Sequence, residues 1–447
     1  MITQQPAVRR NSRPAGVPEQ ERPALTLDQV FSRIARSHPA RVAVQEGRHR
    51  LTYDRAERQA VRLASALARG GVQLGDPLIV HCGNHRQALV AQLAVLKAGA
   101  VCVPPPDRPG GLAALAGATG ARAVLCSRAT YDRAVRGIPS LALDDLLTWR
   151  KISAAPEEPA LPRSSPEGGA YLLPDGDRRV ARLVDHRSWL RSAADRSRRV
   201  VSPAGTVTTG REPMSRVALA ATWWAVSSGA TLHTAPWDPD DDLWPLTGSW
   251  DSAAILTPGD YAALQDAGPA SRPGPRSGVG TTTGTGRAAR AGSGCGTVVL
   301  IGEPCSRELA ARHFAARPGT RLWSEFAPTD GALPWTAHEI TARDARSPYE
   351  PGAGNPVPPV RLRIAGPGGE TLPRGAHGEI VAMGPPWFPE DVQYSGWHGC
   401  WTPDHTLEIT ARPPRVSADP RRRPHAPAHQ DRVRSPEPPG RLEMEVI

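Results

Sequence analysis

The sequence predicts an α/β protein in which helices and parallel strands form stacked layers. The first observation is LAVLKAGAVCVPPP, residues 93–106, which joins an apolar helix end, a glycine and a buried strand that three prolines stop. The second is an amphipathic helix predicted over residues 54–72, which ends in two glycines. The third is that strand-like runs at residues 76–82 and 121–127 alternate with helical ones. This alternation is typical of a mainly parallel sheet that helices cover on both faces.

The amino-terminal elements follow from composition and periodicity. Residues 1–24 mix proline, arginine and glutamine without apolar periodicity, and we predict a disordered leader there. Residues 25–39 place Val30, Phe31 and Ile34 on one face of a predicted helix. The runs RVAVQEG and RHRLTY come next, and they predict a hairpin of two short strands.

Almost all of the basic residues are arginines. The formal net charge is +10, and the chain holds only two lysines, Lys97 and Lys151. The arginines are scattered apart from one cluster near the carboxyl end, so they predict a solvated surface and argue against nucleic acid as a partner. No stretch has the character of a signal peptide or approaches the roughly 20 apolar residues that span a bilayer. We therefore expect a cytoplasmic protein without membrane contact.

The six cysteines do not predict a metal or redox site. No pair has CxxC spacing, which zinc sites and thiol redox motifs use. Cys102 and Cys126 lie in apolar runs, so we predict that they are small core residues.

Several motifs occur in a fixed order along the chain. LKAGAVCVPPP is similar to the pattern LKAGAxYVPLDP, residues 51–53 match the LTY of LTYxEL, and residues 184–190, VDHRSWL, are similar to VSHRSLV. These motifs resemble the adenylation domains of nonribosomal peptide synthetases and the acyl-CoA synthetases, which belong to one adenylate-forming superfamily. The resemblance implies an adenylation-type N-terminal region over residues 25–411, with layered α/β subdomains and a small β-subdomain near residues 355–385.

Two further motifs supply the site residues that the resemblance implies. The run TVVLIGE ends in Gly302 and Glu303, which keep a nucleotide-binding motif of the superfamily. The run FAPTD begins at Phe326 and stands where relatives have YGPTE. By this resemblance Phe326 stacks on adenine, Thr329 contacts phosphate and Asp330 helps to hold magnesium, so we assign catalytic roles to Thr329 and Asp330 and the metal to Asp330. ATP and Mg²⁺ are the implied cofactors.

The predicted phosphate loop departs from the family pattern. Relatives carry TSGTTGxPKG, whereas residues 174–183 are three residues short between the flanking motifs and hold no serine, threonine or lysine. Phosphate loops need glycine for close backbone approach, hydroxyl donors and a cation. Asp175 and Asp177 instead bring negative charge. The cations nearby are Arg178, Arg179 and Arg182. We predict that this loop does not cradle ATP.

Other family positions also differ. Arg216 stands where amino-acid-activating relatives have the aspartate that binds the substrate's ammonium group. A guanidinium there would repel a cation and could hold the anion of a carboxylic-acid substrate, which makes Arg216 the substrate candidate; an unconstrained surface arginine is the alternative that we favour. Trp397 replaces the aspartate that grips the ribose. Ala411 and Arg412 replace the next Gly-Arg pair, which leaves Arg412 as a nucleotide-binding candidate. Pro414 replaces the hinge aspartate, and proline cannot rotate freely about φ.

Two segments lie outside the motif order. Residues 278–294 are rich in glycine, threonine and arginine and imitate a phosphate loop, but they follow the predicted substrate helix, so we predict a flexible inserted loop. Residues 412–447 are rich in proline and arginine, and we predict a disordered tail in place of a packed C-terminal lid. No lysine occurs after Lys151, so none can fill the lid's catalytic role.

Three functional hypotheses follow. The first is a degenerate adenylation-type protein with weak or no activity, which works beside a biosynthetic enzyme or carrier protein in nonribosomal peptide or other secondary-metabolite biosynthesis. The second is an active ligase that forms an acyl- or aminoacyl-adenylate from ATP and a carboxylic acid, with arginines in place of lysines. The third is a basic binding or scaffold protein. Since adenylate formation rests on positioning and on cationic stabilisation of phosphates, the substitutions favour the first.

Overall fold

A computed structural model gives the fold of most of the chain. It describes residues 24–106, 111–131, 137–156, 161–174, 181–200, 205–234, 251–266, 296–328, 331–383, 392–403 and 405–411. The predicted leader (except residue 24), the predicted inserted loop at 278–294 and the predicted tail at 412–447 lie outside these ranges.

Helices and strands alternate through the first two thirds of the described chain. The helices are α1 (Leu27–Ser37), α2 (Tyr53–Arg69), α3 (Gln87–Lys97), α4 (Leu112–Thr119), α5 (Arg128–Tyr131), α6 (Leu146–Ala154), α7 (His186–Arg199), α8 (Arg216–Ser227), α9 (Pro258–Asp266), α10 (Arg307–Ala316) and α11 (Ala342–Arg346). The strands are β1 (Val42–Glu46), β2 (His49–Thr52), β3 (Pro77–His81), β4 (Val101–Val103), β5 (Ala123–Cys126), β6 (Ser140–Ala142), β7 (Gly169–Pro174), β8 (Ala181–Asp185), β9 (Thr206–Thr209), β10 (Thr231–Thr234), β11 (Ala253–Leu256), β12 (Thr297–Gly302), β13 (Arg321–Phe326), β14 (Thr336–Ile340), β15 (Asn355–Pro356), β16 (Arg361–Ala365), β17 (Gly378–Met383), β18 (Gln393–Trp401) and β19 (Leu407–Ala411).

Two sheets form the body of the protein. Among the described residues, one sheet has the order β6-β5-β3-β4-β7-β8 and the other the order β15-β14-β13-β12-β11-β9-β10-β1-β2. The pairs from β6 to β7 and from β13 to β1 are parallel, and antiparallel strands close the edges. The predicted α/β class with a mainly parallel sheet is confirmed, and so is the predicted hairpin of β1 and β2.

The LKAGA motif comprises the end of helix α3 and the turn that follows it, and α3 is buried in the body of the protein. Every residue of α3 is buried, including Lys97 at its end. The ammonium group of Lys97 donates to the Ser32 hydroxyl at 2.7 Å and to the Glu57 carboxylate at 2.8 Å, which ties α3 to α1 and α2. Gly99 follows with a φ of +72°, a left-handed conformation that glycine adopts without strain. The turn then feeds strand β4, and both predicted core thiols, Cys102 and Cys126, are fully buried.

A separate antiparallel sheet forms the small β-subdomain. Its order is β16-β17-β18-β19, so it runs from Arg361 to Ala411. The prediction placed this subdomain near residues 355–385; the sheet begins slightly later and continues further, because the long strand β18 and its partner β19 complete it. Asn355 and Pro356 instead belong to the edge of the large sheet.

A buried polar cluster links the layers of the body. The Tyr171 hydroxyl, on β7, donates to Gln92 Oε1 of α3 at 2.8 Å and accepts from Trp223 Nε1 of α8 at 2.9 Å. The Tyr171 ring also packs on Trp189 of α7, with centroids 5.0 Å apart. All four side chains are buried, so hydrogen bonds and ring contacts fix three helices against one strand.

Among the helices of the described residues, none is both long and apolar enough to cross a bilayer.

Candidate functional site

The candidate site lies at the carboxyl edge of the parallel strands in the large sheet. Strands β12 and β13 are parallel neighbours, and their last residues, Gly302 and Phe326, face each other in the register. The Ala327 amide donates to the Gly302 carbonyl at 2.9 Å, which holds the two strand ends together. In open α/β sheets, ligands bind in the crevice beyond this edge. The structure therefore brings together two of the residues that the sequence assigned to a nucleotide.

Gly302 and Glu303 form the turn that leaves β12. Gly302 has a φ of +111°, and a Cβ added there would meet nothing within 4 Å, so backbone conformation rather than crowding requires the glycine. Glu303 follows and its side chain is exposed. Glu303 thus lies at the same edge, one residue beyond the strand.

Phe326 is buried in an apolar cluster in which two tryptophan rings contact it. Its exposed fraction is 1%. The ring of Trp335 lies 6.3 Å away at 81°, and the ring of Trp397 lies 5.9 Å away at 89°. Both are edge-to-face contacts, the favourable geometry for aromatic pairs. The small sheet supplies Trp397 from β18, so the β-subdomain caps the aromatic residue at the end of β13. Stacking of adenine on Phe326 stays a prediction, and it would require Trp397 to move.

Arg216 is the first residue of α8 and lies beside the turn that follows Phe326. Its Cδ and Cβ are 3.5 and 3.6 Å from the point where a Cβ on Gly331 would stand. Ser215 caps the helix by accepting from the Ala218 amide at 3.3 Å. The structure thus places the Arg216 side chain beside Gly331, and the substrate role of Arg216 stays a prediction.

The strand below Phe326 is anchored by a buried ion pair that the sequence did not predict. Glu325 is 0% exposed and Arg196 of α7 is 1% exposed. Arg196 Nε lies 3.0 Å from Oε1 of Glu325 and Nη2 lies 2.6 Å from Oε2, while Arg199 Nη2 lies 3.3 Å from Oε1. Burial raises the pKa of Glu325, but the charges of Arg196 and Arg199 outweigh it, so this pKa is held below its ordinary value of 4.5.

The remaining assigned residues fall outside the described ranges. Thr329, Asp330 and Arg412 are among them, as are the acidic positions 175 and 177, the arginines at 178 and 179, and the hinge position 414. Arg182 is described, and it lies on β8 opposite Leu173 of β7. Residues 181–183, which the motif comparison placed in the loop, are therefore the start of a strand. Within the described ranges, no group of three or more His, Cys, Asp or Glu side chains is placed to hold a metal ion.

The sequence of this chain matches the model of a known protein family. The model described as AMP-binding enzyme matches residues 31–172 and 183–389, which span both large sheets and most of the small one. The chain belongs to this family of AMP-binding enzymes. The gap between the two matched parts, residues 173–182, contains most of the segment in which the predicted phosphate loop departs from the family pattern.

Individual relatives place this AMP-binding protein among adenylation domains. It is 29% identical over 384 residues to phosphinothricin tripeptide synthetase PhsC of Streptomyces viridochromogenes, covering 83% of this chain and 32% of that protein. The fold is similar to that of the nonribosomal peptide synthetase FmoA3 in its alpha-methyl-L-serine-AMP bound form, with a TM-score of 0.73, 23% identity, and coverage of 88% and 45% of the two chains. It is also similar to the N-terminal subdomain of NpsA from Klebsiella oxytoca, with a TM-score of 0.66, 16% identity, and coverage of 87% and 100%.

These likenesses confirm an adenylation-domain-like protein that is related to the nonribosomal peptide synthetases. The chain spans about a third of the length of PhsC and less than half of FmoA3.

Two features of the site were not predicted from the sequence. The contact of Trp397 with Phe326 joins two elements from different sheets, and only the replacement of the family's aspartate by tryptophan hinted at a change there. The pair of Arg196 and Glu325 joins residues 129 positions apart, and no local pattern marks either of them.

Proposed function

We propose that this adenylation-domain-like protein is degenerate and binds ATP weakly, with slow or no turnover, while it serves nonribosomal peptide or other secondary-metabolite biosynthesis. The observation that carries the proposal is the enclosure of Phe326 by Trp335 and Trp397. An aromatic side chain that is 1% exposed offers no open face to a purine. The side chain that covers it stands where relatives have the ribose-binding aspartate, so one substitution both removes a ligand and fills its space.

The supply of positive charge supports the same conclusion. In adenylate formation a carboxylate oxygen attacks the α-phosphorus of ATP, a new phosphorus–oxygen bond forms and pyrophosphate leaves. The reaction needs cations at the phosphates. Lys97 is buried and paired with Glu57, and the other lysine, Lys151, lies on α6, outside the motifs that the family uses at the phosphates. The loss of one preorganised charge contact costs about 3 kcal/mol, or about a hundredfold in rate.

The substrate and cofactors belong to the same proposal. ATP with Mg²⁺ would be the nucleotide, with Asp330 as the metal ligand and Thr329 at the phosphate. The acid would be one without a free α-ammonium group, because Arg216 would repel it. A carrier protein or another biosynthetic enzyme in the cytoplasm would be the partner. The AMP-linked ligand named for the FmoA3 structure supports the choice of nucleotide, and the presence of a carrier domain in a similar structure supports the choice of partner.

The test combines binding with turnover. We expect calorimetry to show weak Mg-ATP binding, and ATP–pyrophosphate exchange with amino, aryl and fatty acids to stay near background. Submicromolar affinity, or exchange at about 1 per second as in ordinary enzymes, would contradict the proposal. The variant Trp397→Ala should uncover Phe326 and raise the affinity for AMP at least tenfold. Trp401→Ala is the matched control, because Trp401 lies on the same strand and in the same apolar cluster but makes no ring contact with Phe326 within the described residues.

The second candidate is an active ligase, which one observation favours. The side chain of Arg216 lies beside Gly331, the residue that follows the FAPTD run in the sequence, where a cation could replace a missing lysine. If exchange is found, Arg216→Ala and Arg182→Ala should each be tested, since the variant that abolishes exchange would identify the substituting charge.

A further inference from the structure

We propose that Arg211 recognises a second carboxylate on the acid that this protein binds, which makes a dicarboxylic acid the substrate class. The Arg211 guanidinium is paired with Asp260, whose carboxylate occupies the place of that second substrate carboxylate. The inference rests on the proposed function, because it concerns the acid that would lie at the strand edge of Gly302 and Phe326. It adds the residue that selects the acid and the group that this residue binds.

Arg211 lies where the strand order of the large sheet reverses. The chain runs from β9 to its neighbour β10 on one side, and β11 lies on the other side of β9. In open α/β sheets, ligands bind beyond the carboxyl ends of the two strands at such a point. Arg211 follows the end of β9 by two residues, and Asp260 lies in the first turn of α9, which follows β11. Both side chains therefore lie beyond the carboxyl ends of these two strands.

The register places Arg211 on the same edge as the candidate site. Thr208 of β9 is level with Ala254 of β11, and Ala254 is level with Val298 of β12. Arg211 comes three residues after Thr208. Gly302 comes four residues after Val298, so both lie just beyond the same level of the sheet. Since only β11 separates β9 from β12, their ends are about 10 Å apart at the usual strand spacing, and one extended acid can reach both.

The contact with Asp260 shows that the Arg211 guanidinium is arranged to take a carboxylate. Arg211 Nε donates to Asp260 Oδ2 at 2.8 Å and Nη2 donates to Oδ1 at 2.5 Å. This is the bidentate geometry with which arginine binds planar carboxylates. The Arg211 side chain is 52% exposed and the Asp260 side chain 25% exposed, and ion pairs this exposed contribute little to stability. An incoming carboxylate can therefore exchange with Asp260.

Asp260 has hydrogen bonds that do not depend on Arg211. Its Oδ2 also accepts from the Thr257 hydroxyl at 2.7 Å, and its amide donates to the Thr257 oxygen at 3.0 Å. These two bonds hold Asp260 at the start of α9 in the manner of a capping box. The exchange would therefore leave Asp260 hydrogen-bonded and partly exposed, while Arg211 gains an equivalent partner in the substrate.

Helix α9 forms a second ion pair that serves as a comparison. Asp266, at the other end of α9, pairs with Arg312 of α10. Because β11 and β12 are parallel, the helix between them runs back along the sheet, so Asp266 lies toward the opposite edge from Asp260. The Arg312–Asp266 pair thus joins α9 to its surroundings as the Arg211–Asp260 pair does, but away from the edge at which ligands bind.

The experiment measures acid binding to the full chain without ATP. Calorimetry compares dicarboxylic acids from succinate to suberate with the monocarboxylic acid of each chain length. The variants are Arg211→Gln, Asp260→Asn and, as the matched control, Arg312→Gln, and circular dichroism verifies that each one folds. Asp260→Asn keeps an oxygen that can accept from the Thr257 hydroxyl, but it removes the charge that competes for Arg211.

We expect the wild-type chain to bind at least one diacid at least fivefold more tightly than its monoacid. Arg211→Gln should reduce this ratio below twofold, and Asp260→Asn should raise the affinity for the diacid at least threefold. Arg312→Gln should change neither value by more than twofold. If the pair only fastened α9 to the loop after β9, Asp260→Asn would weaken diacid binding or leave it unchanged.

That result would overturn the proposal, and so would a wild-type chain that binds no diacid or binds diacids and monoacids equally. A ratio that survives Arg211→Gln, or that Arg312→Gln abolishes as well, would also overturn it. ATP–pyrophosphate exchange tests the proposed function separately: exchange at ordinary rates would contradict the proposed degeneracy and leave the diacid preference standing.

Discussion

Replacement of Arg196 by methionine should destabilise the protein strongly, because it leaves the buried Glu325 carboxylate without its main partner. The guanidinium lies within 2.6–3.1 Å of both Glu325 oxygens, and both side chains are at most 1% exposed. Removal of one partner of a buried pair leaves the other charge without compensation, which costs about 3–5 kcal/mol. Arg199 remains, but its single contact with Glu325 is longer, at 3.3 Å, and cannot replace the three shorter contacts of Arg196.

The assay is equilibrium unfolding in urea, with the midpoint and slope measured for wild type and variants. Arg196→Met should lower the free energy of unfolding by about 3–5 kcal/mol. The double variant Arg196→Met, Glu325→Met should regain most of the loss, because neither charge then stays buried. Arg199→Met is the matched control and should cost much less, since that side chain is 21% exposed.

Two results would refute the reasoning. A loss below about 1 kcal/mol for Arg196→Met would mean that the pair behaves like an exposed one. A double variant as unstable as the single one would mean that packing of the Arg196 chain on Trp224, 5.7 Å from the guanidinium carbon, matters more than charge.

Two further predictions concern buried polar groups. Burial lowers the pKa of His186 from 6.5 to about 4, so the unfolded state binds a proton first as pH falls. The free energy of unfolding should therefore drop by about 3 kcal/mol between pH 6.5 and 4. The variant His186→Asn can still accept from the Leu27 amide, and urea unfolding should show a flatter stability–pH curve for it in this range. The variant Tyr171→Phe leaves Trp223 Nε1 and Gln92 Oε1 buried without their shared partner. Thermal unfolding should show that the free energy of unfolding falls by about 1–3 kcal/mol. An unchanged midpoint would contradict the role given to the Tyr171 hydroxyl.

The sequence predicted those parts of the fold that local patterns determine. Strand β3, helix α3 and strand β4 could be predicted because apolar periodicity, Gly99 and the prolines act within a few residues. The strand order confirms the predicted α/β class, and the family model confirms the predicted family. The order of strands in the sheets could not be predicted from periodicity, because β1 pairs with β10 through residues such as Val44 and Leu232 that are equally apolar in any pairing.

The position of the candidate site could be predicted from motifs, but the burial of Phe326 within it could not. Gly302 and Phe326 meet at the strand edge as parallel strands require. The enclosure of Phe326 depends on the direction of the Trp397 ring across two sheets, which no spacing in the sequence encodes. The roles of Thr329 and Asp330 stay predictions, since both residues lie outside the described part of the chain.

The placement of β1 in the large sheet has a consequence for synthesis on the ribosome. The Arg41 guanidinium, just before β1, donates to the Gly229 carbonyl, which lies 188 residues later, and β1 itself pairs with β10. At about 5–20 residues per second, translation takes roughly 10–40 s to deliver that partner. Through this interval the hairpin of β1 and β2 has an open edge, and an unpaired edge strand is a template for aggregation. The nascent chain therefore has reason to depend on chaperones before its second half emerges.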